Sequence, residues 1–134
     1  MNVGLFIDGP NMMRKDVHVN IHKVIEKCKE HGDLVIHKIY LNKHAKEGLI
    51  NAMKNEGLEI QITPYDVDIP MALEASEAVF SDKIDVLVLL TRDTDYLPLL
   101  VKAKTRGIMT IVIGTGLGFS VALKHTADKV IFIK

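Results

Sequence analysis

The chain has one cysteine, no tryptophan, only three tyrosines and four phenylalanines, and no excess of either charge. Each shortage removes a class of protein. The single thiol, Cys28, cannot close an internal disulfide or build a cysteine-ligated zinc site, and its place in the helical run IHKVIEKCKE marks it as a packing residue of a reducing compartment. Lys plus Arg is 17 and Asp plus Glu is 17, so no global positive field draws in a polyanion, which would have to be held by local charge or through metal. So few aromatics leave little on which bases could stack, which argues against a strong, sequence-reading nucleic-acid binder. No apolar run approaches the roughly 18 residues that a membrane helix needs, and MNVGLFIDG carries no basic leader, so a soluble, cytoplasmic protein with no membrane partner is expected. No linker, repeat or low-complexity tract divides the 134 residues, and 48% hydrophobic content is enough for one core, so a single domain over 1–134 is expected.

What is present is an alternation. Short β-branched or apolar runs at 3–7, 34–40, 58–62, 85–90, 108–113 and 129–133 read as strands, several too uniformly apolar to have a wet face. Between them VNIHKVIEKCKEHG, KHAKEGLINAMKNEG, IPMALEASEAVF and DYLPLLVKAKTRG carry apolar residues at three- and four-residue spacing, with Gly32, Gly57 and Gly107 where helix stops are expected. The alternation predicts an α/β fold: three layers, a mostly parallel sheet with helices on both faces.

In such a sheet the C-terminal ends of all parallel strands open on one edge, where ligands bind. Acidic residues stand after three of them: Asp8 in DGPN after the first, Asp66 and Asp68 in TPYDVD after the third, and Asp93 and Asp95 in TRDTD after the fourth. Gathered in one crevice they repel one another unless a cation sits among them. Oxygen ligands without cysteine or a histidine pattern suit Mg²⁺ or Mn²⁺, and a hard divalent ion is the usual agent of phosphodiester cleavage. Thr91 and Asn11 are placed to orient a carboxylate or a phosphate, and Arg14, Lys15 and Lys124 near the crevice edge to meet a nucleic-acid backbone.

FIDGPN at the first strand, VDIPMALEA in the middle, VLLTRDTDYLPLL after the fourth strand, and Ser120, Leu123, Ala127 and Asp128 near the end together resemble the NYN domains of the LabA-like group, within the PIN-like nuclease superfamily. The resemblance covers essentially the whole chain. It implies a Rossmann-like sheet with core order 3-2-1-4-5 and a metal-dependent ribonuclease, and it adds a homodimer as an expectation. Position by position, it assigns Asp8 with Asn11 beside it, Asp68, Asp93 as a principal metal ligand and Asp95 as its neighbour; these four form the expected catalytic and metal set. Two departures stand out. Glu74 replaces the usual second acid of the middle helix, where its longer side chain could still reach the metal through water. Arg92 replaces the usual glycine before Asp93, which adds a phosphate contact or a solvent-facing charge. Asn11, Thr91, Arg92, Arg14, Lys15 and Ser120 are the expected substrate-binding residues.

Blander readings stand beside these. An Asp between strand and helix is often an N-cap, an alternative strongest for Asp95, and Asp66 reads as a turn residue. GTGLG at 114–118 resembles a dinucleotide fingerprint but follows the fifth strand rather than the first, so it reads as a loop. His18 and His22 share helical spacing without the acid of a metalloprotease motif, so they read as an exposed face. The leading expectation is a ribonuclease acting on single-stranded RNA with Mg²⁺ or Mn²⁺. The alternatives are a non-catalytic RNA- or protein-binding module and, more remotely, a phosphatase, for which FIDGPN carries one acid where two are usual.

Overall fold

The computed structural model describes residues 1–13, 19–64, 66–115 and 118–133. Six strands, β1 (Asn2–Asp8), β2 (Asp33–Asn42), β3 (Glu59–Thr63), β4 (Val86–Leu90), β5 (Met109–Gly114) and β6 (Lys129–Phe132), form one sheet in the order 3-2-1-4-5-6. Every neighbouring pair is parallel. The expected core order is present, and β6 extends it beside β5. Strand ends differ from the sequence reading by one or two residues, as expected where turn backbone continues the ladder.

The period-two alternation of the strands sorts side chains to the two faces. Val3, Leu5 and Ile7 of β1 and Val86, Val88 and Leu90 of β4 pack with Ile21, Val24 and Cys28 of α2 (Ile21–Lys29) and Met53 of α3 (Glu47–Asn55). Phe6, Leu87 and Leu89 pack on the opposite face with Met71, Ala75 and Val79 of α4 (Asp68–Phe80), Leu100 of α5 (Leu97–Thr105) and Leu123 of α6 (Val121–Thr126). Because β1 and β4 lie mid-sheet with helices on both sides, they are almost wholly buried. Cys28 is buried as a packing residue, and desolvation pushes its thiol up to about 12.

Two features depart from the sequence reading. DGPN is not a plain loop: Gly9–Met12 forms a short helix, α1, with Pro10 in its first turn. The run starting at Asp95 is split, with a 3₁₀ turn at Thr94–Tyr96 feeding α5. Of the three glycine stops, Gly57 and Gly107 follow α3 and α5 in left-handed backbone, each amide reaching back to a lysine carbonyl at 2.9 Å. Gly32 does something else. A Cβ there would lie 2.0 Å from the Met1 carbonyl oxygen, so glycine is what lets β2 start against the first residue.

Candidate metal and nucleotide site

Parallel pairing of Ile7 with Leu90 brings the ends of β1 and β4 side by side, although they lie far apart in sequence. Asp8, the last residue of β1, is buried and caps α1: it accepts from the Asn11 amide at 3.4 Å and from Asn11 Nδ2 at 2.8 Å. Thr91, buried just after β4, donates its hydroxyl to Asp8 Oδ2 at 3.1 Å and accepts from the Asp93 amide at 3.1 Å. Asp93 Oδ1 then accepts from the Asp95 amide at 2.9 Å. One relay of short bonds thus ties the two strand ends together. The N-cap of the 3₁₀ turn is Asp93, so capping falls to this residue and not to Asp95.

Asp68 arrives from the opposite side, in the first turn of α4, where the helix dipole favours its negative charge. One carboxylate oxygen each of Asp68, Asp93 and Asp95 lie within 4.8 Å of one another. Asp8, Asn11 and Asp66 line the same pocket, about 300 Å³, with these three. Asp8 lies outside the three-carboxylate group, held by Asn11 and Thr91. Asp66, read as a turn residue, is exposed on the pocket wall.

The electrostatics are those of uncompensated acid. Burial is the main force pushing the Asp8 carboxyl up, against hydrogen bonds from Asn11 and Thr91 that pull it down. The Asp93 charge raises Asp95, with a further push from Asp68. Burial, then the charges of Asp8, Asp68, Asp93 and Asp95, raises the Tyr96 phenol beneath them. Asp68 Oδ1 is buried without a hydrogen-bond partner among the described residues. A buried carboxylate oxygen left unsatisfied beside two further carboxylates fits a hard divalent cation, and the all-oxygen donor set fits Mg²⁺ or Mn²⁺.

Glu74 does not join this cluster. It lies further along α4, where its Oε1 accepts from Lys38 Nζ and, at 2.8 Å, from the Tyr40 hydroxyl. Burial alone would raise its carboxyl, but these bonds and the Lys38 charge outweigh it and hold the group below its ordinary value. The expected metal-ligand role meets a physical obstacle: the oxygen facing the sheet is already engaged by a lysine and a tyrosine. The sequence signal for this pairing was Lys38 itself, a lone cation inside the apolar strand run LVIHKIYLN.

The expected substrate-binding residues divide. Asn11, Arg92 and Ser120 line a polar pocket of about 500 Å³ that shares Asn11 and Asp93 with the acidic one. Ser120 also caps α6, accepting from the Leu123 amide at 3.3 Å. Thr91 acts inside the relay, away from either pocket surface. Arg14 and Lys15, with His18, lie outside the described residues, as do Gly116 and Leu117 of GTGLG. His22 is exposed on α2, paired with Glu26 at 2.9 Å, as read.

A parallel α/β sheet with carboxylates converging at the C-terminal ends of its strands defines a Rossmann-like class of fold. Residues 2–134 match the NYN domain family, and the chain belongs to it. It is 48% identical over 131 residues to the uncharacterized protein MJ0482 of Methanocaldococcus jannaschii, covering 98% of this chain and 55% of that one; the chain therefore spans about half the length of that curated relative. A crystal structure of a protein of unknown function, VPA0982 from Vibrio parahaemolyticus, superposes with a TM-score of 0.87 over 99% of this chain and 93% of that one, at 18% identity. That likeness shows the fold. The NYN family points to the PIN-like nucleases, and the acidic cluster is of the kind that holds a divalent metal. Among the described residues no helix is long and apolar enough to cross a membrane.

Proposed function

We infer that the protein is a metal-dependent ribonuclease of the LabA-like NYN group, hydrolysing phosphodiester bonds of single-stranded RNA. The observation that carries this reading is the unsatisfied, buried Asp68 Oδ1 beside the Asp93 and Asp95 carboxylates. Asp68, Asp93 and Asp95 hold Mg²⁺ or Mn²⁺. Asp8 fixes Asn11 and Thr91, and through Thr91 the backbone that carries Asp93. When bound, the ion supplies Lewis acidity: it takes up charge developing on a phosphoryl oxygen and makes water a competent nucleophile at neutral pH. Asn11, Arg92 and Ser120 seat the RNA backbone beside the scissile phosphate, with Arg14 and Lys15 adding phosphate contacts. In-line attack with departure of the 3′ oxygen leaves 5′-phosphate ends. The same reading makes 1–134 one functional domain, places it in the cytoplasm and pairs it as a homodimer.

The test is cleavage of labelled single-stranded RNA by purified protein with Mn²⁺, Mg²⁺ or EDTA, beside Asp93→Asn prepared identically. Cleavage that needs metal and vanishes in the variant supports the reading; equal activity in both identifies a contaminant and ends it. The zero net charge favours a second reading, a binding module with a metal pocket. It predicts Mn²⁺ and RNA binding by the wild type with no cleavage in any arm.

A further inference from the structure

A third depression adjoins the acidic pocket from the β2 side. It measures about 380 Å³, and Pro10 belongs to both cavities. Its walls are apolar, from Pro10, Met13, Leu41 and Leu49, while Asn42, His44 and Lys46 supply its polar part. The chemistry changes abruptly across Pro10: carboxylates on one side, aliphatic surface on the other. A flat, weakly polar ring buries apolar area in the second cavity. Asn42 Oδ1 already accepts from the His44 amide at 2.9 Å, which leaves its side-chain nitrogen as the donor it can offer a ligand. The partition between the cavities is closely packed. A Cβ on Gly9 would come within 2.4 Å of both Leu41 Cδ2 and the Tyr40 carbonyl oxygen, so α1 lies hard against β2.

We propose that this cavity is a nucleobase subsite, taking one base of the RNA strand whose adjoining phosphate sits at the acidic pocket. The inference rests on the ribonuclease reading for the identity of the strand, and it adds where the strand lies: from the apolar cavity at the end of β2, over the carboxylates, to the Arg92 and Ser120 pocket at the end of β4. Aliphatic walls contact either a purine or a pyrimidine through its faces, so the subsite grips without reading sequence. It supplies the base contact that the scarcity of aromatics withholds.

The experiment titrates methyl-labelled protein in Mg²⁺ with adenosine 5′-monophosphate, uridine 5′-monophosphate and ribose 5-phosphate. Both nucleotides are expected to shift the Met13, Leu41 and Leu49 methyl resonances, and the base-free sugar phosphate is not. Ala45→Trp, which fills the cavity, is expected to weaken nucleotide binding by roughly tenfold or more while Mn²⁺ affinity stays at the wild-type value. Equal methyl shifts with ribose 5-phosphate, or none with the nucleotides, overturn the subsite without reference to the variant. Its failure is separable from that of the nuclease reading: RNA cleavage without base-dependent methyl shifts sinks the subsite alone, and base-dependent shifts without cleavage sink the nuclease alone.

Discussion

Asp68 and Glu74 stand six residues apart on α4 and are treated in opposite ways by the fold. Glu74 meets Lys38 and Tyr40, so its charge is answered within the protein. Asp68 meets Asp93 and Asp95, and its buried Oδ1 has no hydrogen-bond partner among the described residues. A half-buried acid with partners inside the protein ties two elements together; one whose buried oxygen lacks a partner is a candidate ligand. On one helix, the first turn carries the uncompensated acid and the second the compensated one.

That contrast can be broken from either side. The largest effect is expected at the uncompensated end: Asp93→Asn or Asp68→Asn should lower metal-dependent RNA cleavage by about 10²-fold or more, with parallel loss of Mn²⁺ binding by titration. At the compensated end, Glu74→Ala leaves the largely buried Lys38 ammonium with only the exposed Glu59 carboxylate, 3.9 Å away, and should destabilise by about 1–3 kcal/mol in urea melts. Adding Lys38→Met should recover much of that loss, and a double variant no better than the single would mean the pair does not act as one unit. Next in size, Thr91→Val removes the donor to Asp8 and the acceptor of the Asp93 amide, and should weaken Mn²⁺ binding by about tenfold while the protein stays folded by circular dichroism. Asp95→Asn should raise the melting temperature of metal-free protein slightly, because the Asp93 charge opposes ionisation of Asp95 in the fold. Mg²⁺ should then raise the wild-type melting temperature more than the variant's.

The smallest effect is a pH dependence far from the pocket. Asp128 is held below its ordinary value, first by the Thr110 amide and also by the Thr110 hydroxyl and Lys104. A depressed folded-state value means the contribution is present above the ordinary carboxylate range and lost as pH falls through the depressed value. Acid unfolding of Asp128→Asn should therefore be shallower than wild type, by a modest amount because the side chain is well exposed.

Much of this was legible in the residues. Runs such as VGLFI and DVLVLL have no polar alternation, and only a strand covered on both faces tolerates that; a parallel sheet and its acidic edge follow. Asp8, Asp68, Asp93 and Asp95 could be placed at that edge because strand ends are set by topology. What could not be read were interactions made by side chains that sequence places far apart. Lys38 and Glu74 are separated by 36 positions, and only the packing of α4 on β2 decides that they meet. The Asp93 cap was hidden for a local reason: in DTDY either aspartate can cap, and the Thr91 hydroxyl, which accepts from the Asp93 amide, settles which one does.

The pairing of Ile7 with Leu90 carries a consequence for how the site comes into being. During synthesis Asp8 emerges before either strand that flanks it, and the two acids that follow β4 are encoded some eighty positions after it. Closing so long a loop is an entropic barrier that local helices cannot lower. The ion-holding geometry is therefore a property of the finished fold, and chains cut short before Thr91 have the first acid without the last two.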